Sequence, residues 1–301
     1  MIRAQNVTKR FDTHPAVLNL NCEIPTGCIY GLIGANGAGK STFLRLVTGV
    51  YKADEGEITL GGEPVYENPA AKRRMSFVPD ELYFLAGASL NRMATLYQSI
   101  YPDFDLVRYR TLIELFKLNP KVGTNTFSKG MRRQAATILA LCTNPEYIFF
   151  DETFDGLDPV VRTLVKNLIT EHVMEQGTTA IITSHSLREL EDTCDQLALL
   201  HHGGIVFESD VQNLKTALFK VQVAFLEPYG QERFDGLDLL DYNQRGSVAS
   251  FIVRGDRAET KNFLAAKSPA LLDILPLSLE EVFIHEMQAL GYAFDHILEV
   301  E

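Results

Sequence analysis

The segment GANGAGKS at 34–41 has the spacing of a loop that grips phosphate, with glycines at 34, 37 and 39 followed by a lysine and a hydroxyl. Glycine at those positions permits backbone angles and a closeness of approach that a Cβ would block, so successive N–H groups turn toward phosphate oxygens. The set expected to hold a nucleotide is Gly34, Asn36, Gly37, Ala38, Gly39, Lys40, Ser41 and Thr42. In it Lys40 bridges the outer two phosphates and Ser41 offers its hydroxyl to Mg²⁺. A second segment, YIFFDE at 147–152, ends an apolar run in two carboxylates. Asp151 is placed to hold Mg²⁺, generally through its water, and Glu152 to take a proton from an attacking water.

Such groups need rigid elements behind them. A strand-like CIYGLI precedes the glycine loop and a helix-like TFLRLV follows it, so the loop opens onto a helix N-terminus and its partial positive charge. The run YIFF, a helical pattern from Val160 to Met174 and the run TTAIITSH at 178–185 give the strand-helix-strand order of a parallel sheet. The first 66 residues otherwise read as short strands with turn punctuation. Helical spacing takes over from Leu90 to Leu118, with Leu90, Met93, Leu96 and Tyr97 on one face and Leu112, Ile113, Leu115 and Phe116 beyond a Tyr101-Pro102 break. After about Leu214 come two strand-like runs, a short helix and the amphipathic SLEEVFIHEMQAL.

Between the phosphate loop and the acidic strand lies FSKGMRRQ at 127–134, and with it the chain resembles the ABC ATPase family. Members carry an LSGGQ-like signature there, whose serine and glycine amides cap the γ-phosphate bound by a second subunit. Ser128 and Gly130 match it, while Lys129 replaces a glycine and Met131 the glutamine; read by itself, Ser128 is better taken as a plain helix N-cap. GLDP at 156–159, with Asp158, resembles the family's D-loop, and His185 its switch histidine facing the γ-phosphate. Phe11 stands where members stack an aromatic on adenine, or else ends the first strand as a core residue. Asp80, closing SFVPDE, occupies the place of a glutamine that touches Mg²⁺ or the lytic water, and a carboxylate is also a hard oxygen ligand. Thr153 replaces a proline common after the acidic pair.

The fold this resemblance implies is α/β: a P-loop NTPase of ABC type with an antiparallel β subdomain, a parallel-sheet core, a helical insert over about 85–140, and a small C-terminal α/β domain. The implied division is an ATPase domain at 1–215 and an accessory domain at 216–301. It further implies ATP and Mg²⁺, pairing with a second ATPase subunit, and work on a separate integral membrane permease. The tail is similar to that of ATPases serving drug and peptide exporters. Alternative readings are a soluble ABC ATPase acting on ribosomes or DNA, and a regulatory ATP-binding module.

Composition narrows the partners. With 39 acidic against 28 basic side chains the net charge is -11, which repels phosphate backbones, so nucleic acid is not expected. The basic strip Lys72, Arg73 and Arg74 reads as a solvated turn. Cys22, Cys28, Cys142 and Cys194 lack metal or redox spacing and read as reduced thiols in the cytoplasm. No run approaches the roughly 20 apolar residues of a membrane span. A role at the membrane must therefore pass through a partner protein.

Overall fold

Alternating burial along β1 (Ile2–Phe11) breaks after Ala4: Ile2 and Ala4 face inward, and then Val7. One extra residue in β1 separates the pairs Ala4 with Cys22 and Val7 with Leu20 of β2 (His14–Ile24). The bulge carries Asn6 at φ 50° and returns Val7 to the core. The chain continues through β3 (Ile29–Ile33), α1 (Lys40–Val47), β4 (Glu55–Leu60), β5 (Glu63–Pro64), α2 (Pro69–Arg73) and β6 (Met75–Val78). β2, β1, β4 and β5 form a four-stranded antiparallel sheet in that order. α1 buries Phe43, Leu44, Leu46 and Val47 in one cluster with Ile2, Leu20, Ile58 and Phe149. The computed structural model describes residues 1–289 and 291.

The helical region holds α3 (Leu90–Ile100), α4 (Leu106–Leu115) and α5 (Lys129–Leu141), capped by Ser89, Asp105 and Ser128 in turn. Each cap accepts a backbone N–H of the first turn, as an orphan donor there requires. Leu90, Met93, Leu112 and Ile113 are buried as their spacing predicts, but Leu115 is exposed. It ends α4, two residues past Ile113, the last buried residue of the helix.

Next come β7 (Tyr147–Asp151), α6 (Pro159–Gln176), β8 (Thr179–Ser184), α7 (Leu187–Leu190), β9 (Gln196–His201) and β10 (Gly204–Asp210). A six-stranded sheet runs β10-β9-β3-β8-β7-β6, and β9, β3, β8, β7 and β6 are mutually parallel. β3, β7 and β8 are buried at every residue, which is why they carry the continuous apolar runs IYGLI, YIFF and AII rather than alternations. All of β3, β6, β7 and β8 end on the same edge, the place where parallel sheets present ligand-binding loops.

Contacts divide the chain into two compact units that meet in sequence between Glu208 and Ser209. The second contains α8 (Val211–Ala217), β11 (Leu218–Ala224), β12 (Asp238–Arg245), β13 (Val248–Arg254), α9 (Arg257–Ala265), β14 (Leu271–Pro276) and α10 (Leu279–Ala289). Its antiparallel sheet runs β12-β13-β11-β14 over a core of Phe219, Val221, Val223, Phe234, Phe251 and Val253. Leu290, which ends the amphipathic SLEEVFIHEMQAL segment, and positions 292–301 lie outside the described residues.

Candidate functional site

The loop after β3 is built on contacts that only glycine allows. A Cβ on Gly34 would lie 2.5 Å from the Leu200 carbonyl oxygen, and one on Gly39, at φ 109°, would collide with the Ala16 carbonyl. Gly39 is also the N-cap of α1, which has no side-chain cap and no acidic residue in its first turn. Its leading N–H groups are thus available to an anion. Lys40, 5% exposed, donates from Nζ to the carbonyls of Gly34 (2.6 Å) and Ala35 (3.2 Å) and lies 3.2 Å from Glu152 Oε1. The lysine therefore closes the loop on itself and ties it to the neighbouring strand end.

Asp151 ends β7 with 0% exposure. Its Oδ1 accepts from the hydroxyls of Ser41 (3.1 Å) and Thr183 (2.8 Å), while Oδ2 is buried without a partner. Burial, opposed by those two hydrogen bonds, raises the carboxyl pKa above the usual range. An unpartnered buried carboxylate oxygen beside a serine hydroxyl is a pair of hard donors suited to Mg²⁺, which commonly takes one or two carboxylates plus phosphate oxygens. Among the described residues, no cluster of three or more His, Cys, Asp or Glu could hold an ion unaided.

Glu152 follows in the left-handed region at φ 48°, its N–H donating to Thr183 Oγ1 at 3.1 Å. That turn swings the side chain back over the strand ends, where Oε2 lies 3.0 Å from His185 Nδ1. Lys40, Glu152 and His185 thus form one chain across the ends of β3, β7 and β8. Thr183 orders both acids at once and is absent from the residues expected from sequence; the only hint was a hydroxyl pair, Thr183 and Ser184, closing an apolar run before a histidine.

The glycine loop and Glu152 border a cleft of about 370 Å³ lined by Phe11, Ala16, Asn36 to Thr42, Asp80 and Glu152. Phe11 is not a core residue: it is 44% exposed at the cleft's edge and packs edge-on against Tyr51, with ring centroids 5.4 Å apart. Asp80 reaches the cleft from the loop after β6, with Oδ1 2.7 Å from Arg133 Nη2. Of the residues expected from sequence, Gly34, Ser128, Gly130, Asp151, Asp158 and His185 are not among its lining residues. Ser128 caps α5 through Met131 N–H (3.2 Å), and Asp158 caps α6 through the N–H groups of Val160 and Val161 (3.1 Å each). A Cβ on Gly130 would lie 3.1 Å from the Gly156 carbonyl, so the start of α5 and the GLDP turn pack against each other.

A glycine loop opening onto a helix, with acids at the end of a neighbouring parallel strand, defines a P-loop nucleotide hydrolase, and the surrounding sheets and helical region are those of an ABC-type ATPase. A sequence profile described as ABC transporter matches residues 17–155. The ABC transporter ATP-binding protein YtrB of Bacillus subtilis (strain 168) is 30% identical over 94% of this chain and 97% of its own length. The chain belongs to the ATP-binding proteins of ABC transporters and is an ATPase of that family. The Nod factor export ATP-binding protein I of Cupriavidus metallidurans is 27% identical over 94% of this chain and 96% of its own. The bacitracin transport ATP-binding protein BcrA of Bacillus licheniformis is 29% identical over 71% of each. Among solved structures, an ATP-binding subunit of an ABC transporter superposes with a TM-score of 0.66 at 22% identity, covering 71% of this chain and 92% of that one. A dimeric ATP-binding cassette in a post-hydrolysis state, bound to ADP and Pi, gives 0.63 at 21% identity, covering 70% and 99%. At those identities the likeness is one of fold.

Proposed function

We propose that the chain powers a separate integral membrane permease by hydrolysing ATP at this cleft, working face to face with a second cassette on the cytoplasmic side of the membrane. Residues 1–215 are the ATPase domain in this reading and 216–301 an accessory domain. The observation that carries it is the Lys40, Glu152 and His185 chain lying beside the half-satisfied Asp151 at the carboxyl ends of adjacent strands.

When a triphosphate enters, Lys40 exchanges Glu152 Oε1 for phosphate oxygens. That frees Oε1 to accept a proton from the water attacking the γ-phosphorus as the bond to ADP breaks, while His185 holds Oε2. Ser41, Asp151 and Asp80 are the residues that would hold Mg²⁺, and the ion would neutralise developing charge on the phosphates. Phe11 stacks on adenine. Exposed Ser128 and half-buried Gly130, at the start of α5, reach the nucleotide of the other subunit together with Asp158, so ATP joins the pair and its hydrolysis releases it.

Export of a peptide or amphipathic compound is supported by the relatives that serve bacitracin transport and Nod factor export. The permease docks on the helical insert near Asp80, where a recess of about 250 Å³ is lined by Asp80, Leu82, Phe127, Lys129, Arg132 and Arg133. The test is phosphate release by the purified chain and its Glu152→Gln variant. Turnover should fall roughly 10²–10⁴-fold, with ATP retained and a dimer visible by light scattering. Single-turnover hydrolysis near the wild-type rate would refute the role given to Glu152.

A further inference from the structure

Three carboxylates gather here, Asp80 and Glu152 lining the cleft and Asp151 buried beside Glu152, and a triphosphate brings about four further negative charges. Two of the three have partners already described: Glu152 faces Lys40 and His185, and Asp151 accepts two hydroxyls. The third, Asp80, is answered from an unexpected direction. Arg133 lies on α5, five positions beyond Ser128, and is 1% exposed. Its Nη1 donates to the carbonyls of Pro79 (3.1 Å), Asp80 (3.1 Å) and Asp151 (3.4 Å), and its Nη2 lies 2.7 Å from Asp80 Oδ1.

One planar fork therefore joins α5 to the carboxyl ends of β6 and β7, a geometry that a lysine's point charge cannot reproduce. A buried guanidinium also requires a counter-charge. Asp80 supplies it by a direct ion pair, whereas Asp155, the other nearby acid, is held by Lys129 at 2.6 Å. The Asp80 side chain is 50% exposed and lines the nucleotide cleft, so this pair is the junction between a buried helix anchor and the ligand.

Resting on the reading of the cleft as the triphosphate site, we propose that Arg133 is a positioning residue for ATP: it pins the Asp80 carboxylate to the cleft wall and cancels its charge. The same guanidinium sets the start of α5, and with it the place of Ser128 and Gly130. Charge at Asp80 is then permissible beside a polyanion only while Arg133 is present, and the two residues form one unit in nucleotide binding.

The charge argument makes opposite predictions for the two single variants, which loss of structure alone does not. The full chain is titrated with ATP in EDTA, so that no metal contributes, and affinity is read by calorimetry. Arg133→Gln leaves a net negative charge and should weaken ATP on the order of tenfold, an effect that shrinks as salt rises. Asp80→Asn leaves a net positive charge and should tighten ATP several-fold. The double variant should return to within about threefold of the wild type. An Asp80→Asn protein that binds no tighter, or a double variant that stays as weak as Arg133→Gln while melting like the wild type, would overturn the proposal. Should Arg133→Gln fail to fold, Asp80→Asn still decides the matter by its sign. Lys40→Ala serves as the control for the underlying reading: equal ATP affinity in that variant would place the triphosphate elsewhere, independently of Arg133.

Discussion

The two units bury different things. Around the cleft the interior holds charge, with Lys40, Arg133 and Asp151 at 5%, 1% and 0% exposure, each fixed by short polar contacts. The second unit buries aromatic carbon. Phe234 sits at the centre of its core, its ring 4.7 Å from Phe251 and 6.3 Å or less from Phe225, Tyr229 and Tyr242. Its ionic groups Lys220, Asp241, Glu281 and His285 instead border an open groove of about 820 Å³. Buried charge is costly and a well-packed apolar replacement is frequently neutral or better. Its retention at one sheet edge therefore marks where the fold serves a ligand rather than its own stability.

The sharpest way to break this comparison is to damage the apolar core and watch the cleft. Phe234→Ala removes a fully buried ring and should cost the second unit about 3–5 kcal/mol in chemical denaturation. ATP affinity measured below the melting transition should remain that of the wild type. A loss of affinity in step with the loss of stability would show that the two interiors do not have separate tasks.

A buried ionisable group away from the cleft sharpens the contrast. His172 on α6 is 0% exposed, its Nδ1 lies 2.6 Å from Arg108 Nη1, and burial together with that guanidinium lowers its pKa to about 4. The folded pKa lies below the unfolded value of 6.5, so between those values the unfolded state binds more protons. Stability should therefore decline as pH falls from about 6.5 to about 4, by at most about 3 kcal/mol. His172→Gln should flatten that part of a melting-temperature profile. An unchanged profile would mean that the acid sensitivity arises elsewhere.

What could be read in advance follows from the range of the interactions. The phosphate loop, the strand before it and the acids at 151 and 152 are local patterns, each complete within about eight residues, and the structure brings the loop and Glu152 to one cleft with Asp151 bonded to Ser41. Arg133 and Asp80 stand 53 residues apart, and no periodicity marks an arginine as buried, so their pairing needed coordinates. β12 and β14 were missed because neither buries a residue fully, and their sequences DLLDYNQR and LLDILP set leucines side by side instead of alternating apolar with polar residues. Phe11 was open between two roles, and its exposure beside the glycine loop removes the core reading.

The smallest expected effect separates a helix cap from a ligand group. Ser89 and Ser128 are both N-caps with side-chain oxygens 3.3 and 3.2 Å from an N–H of the first turn. As caps they are equivalent, so alanine at either should cost about 1 kcal/mol of stability. Only Ser128 also has a proposed second acceptor or donor partner, the phosphate held by the other subunit. Ser128→Ala should thus lower steady-state turnover roughly tenfold, the scale of one hydrogen bond to a charged group, while Ser89→Ala leaves it unchanged. Equal turnover in the two variants would reduce Ser128 to its role in starting α5, and the cleft would then have to complete its grip on ATP without help from across the pair.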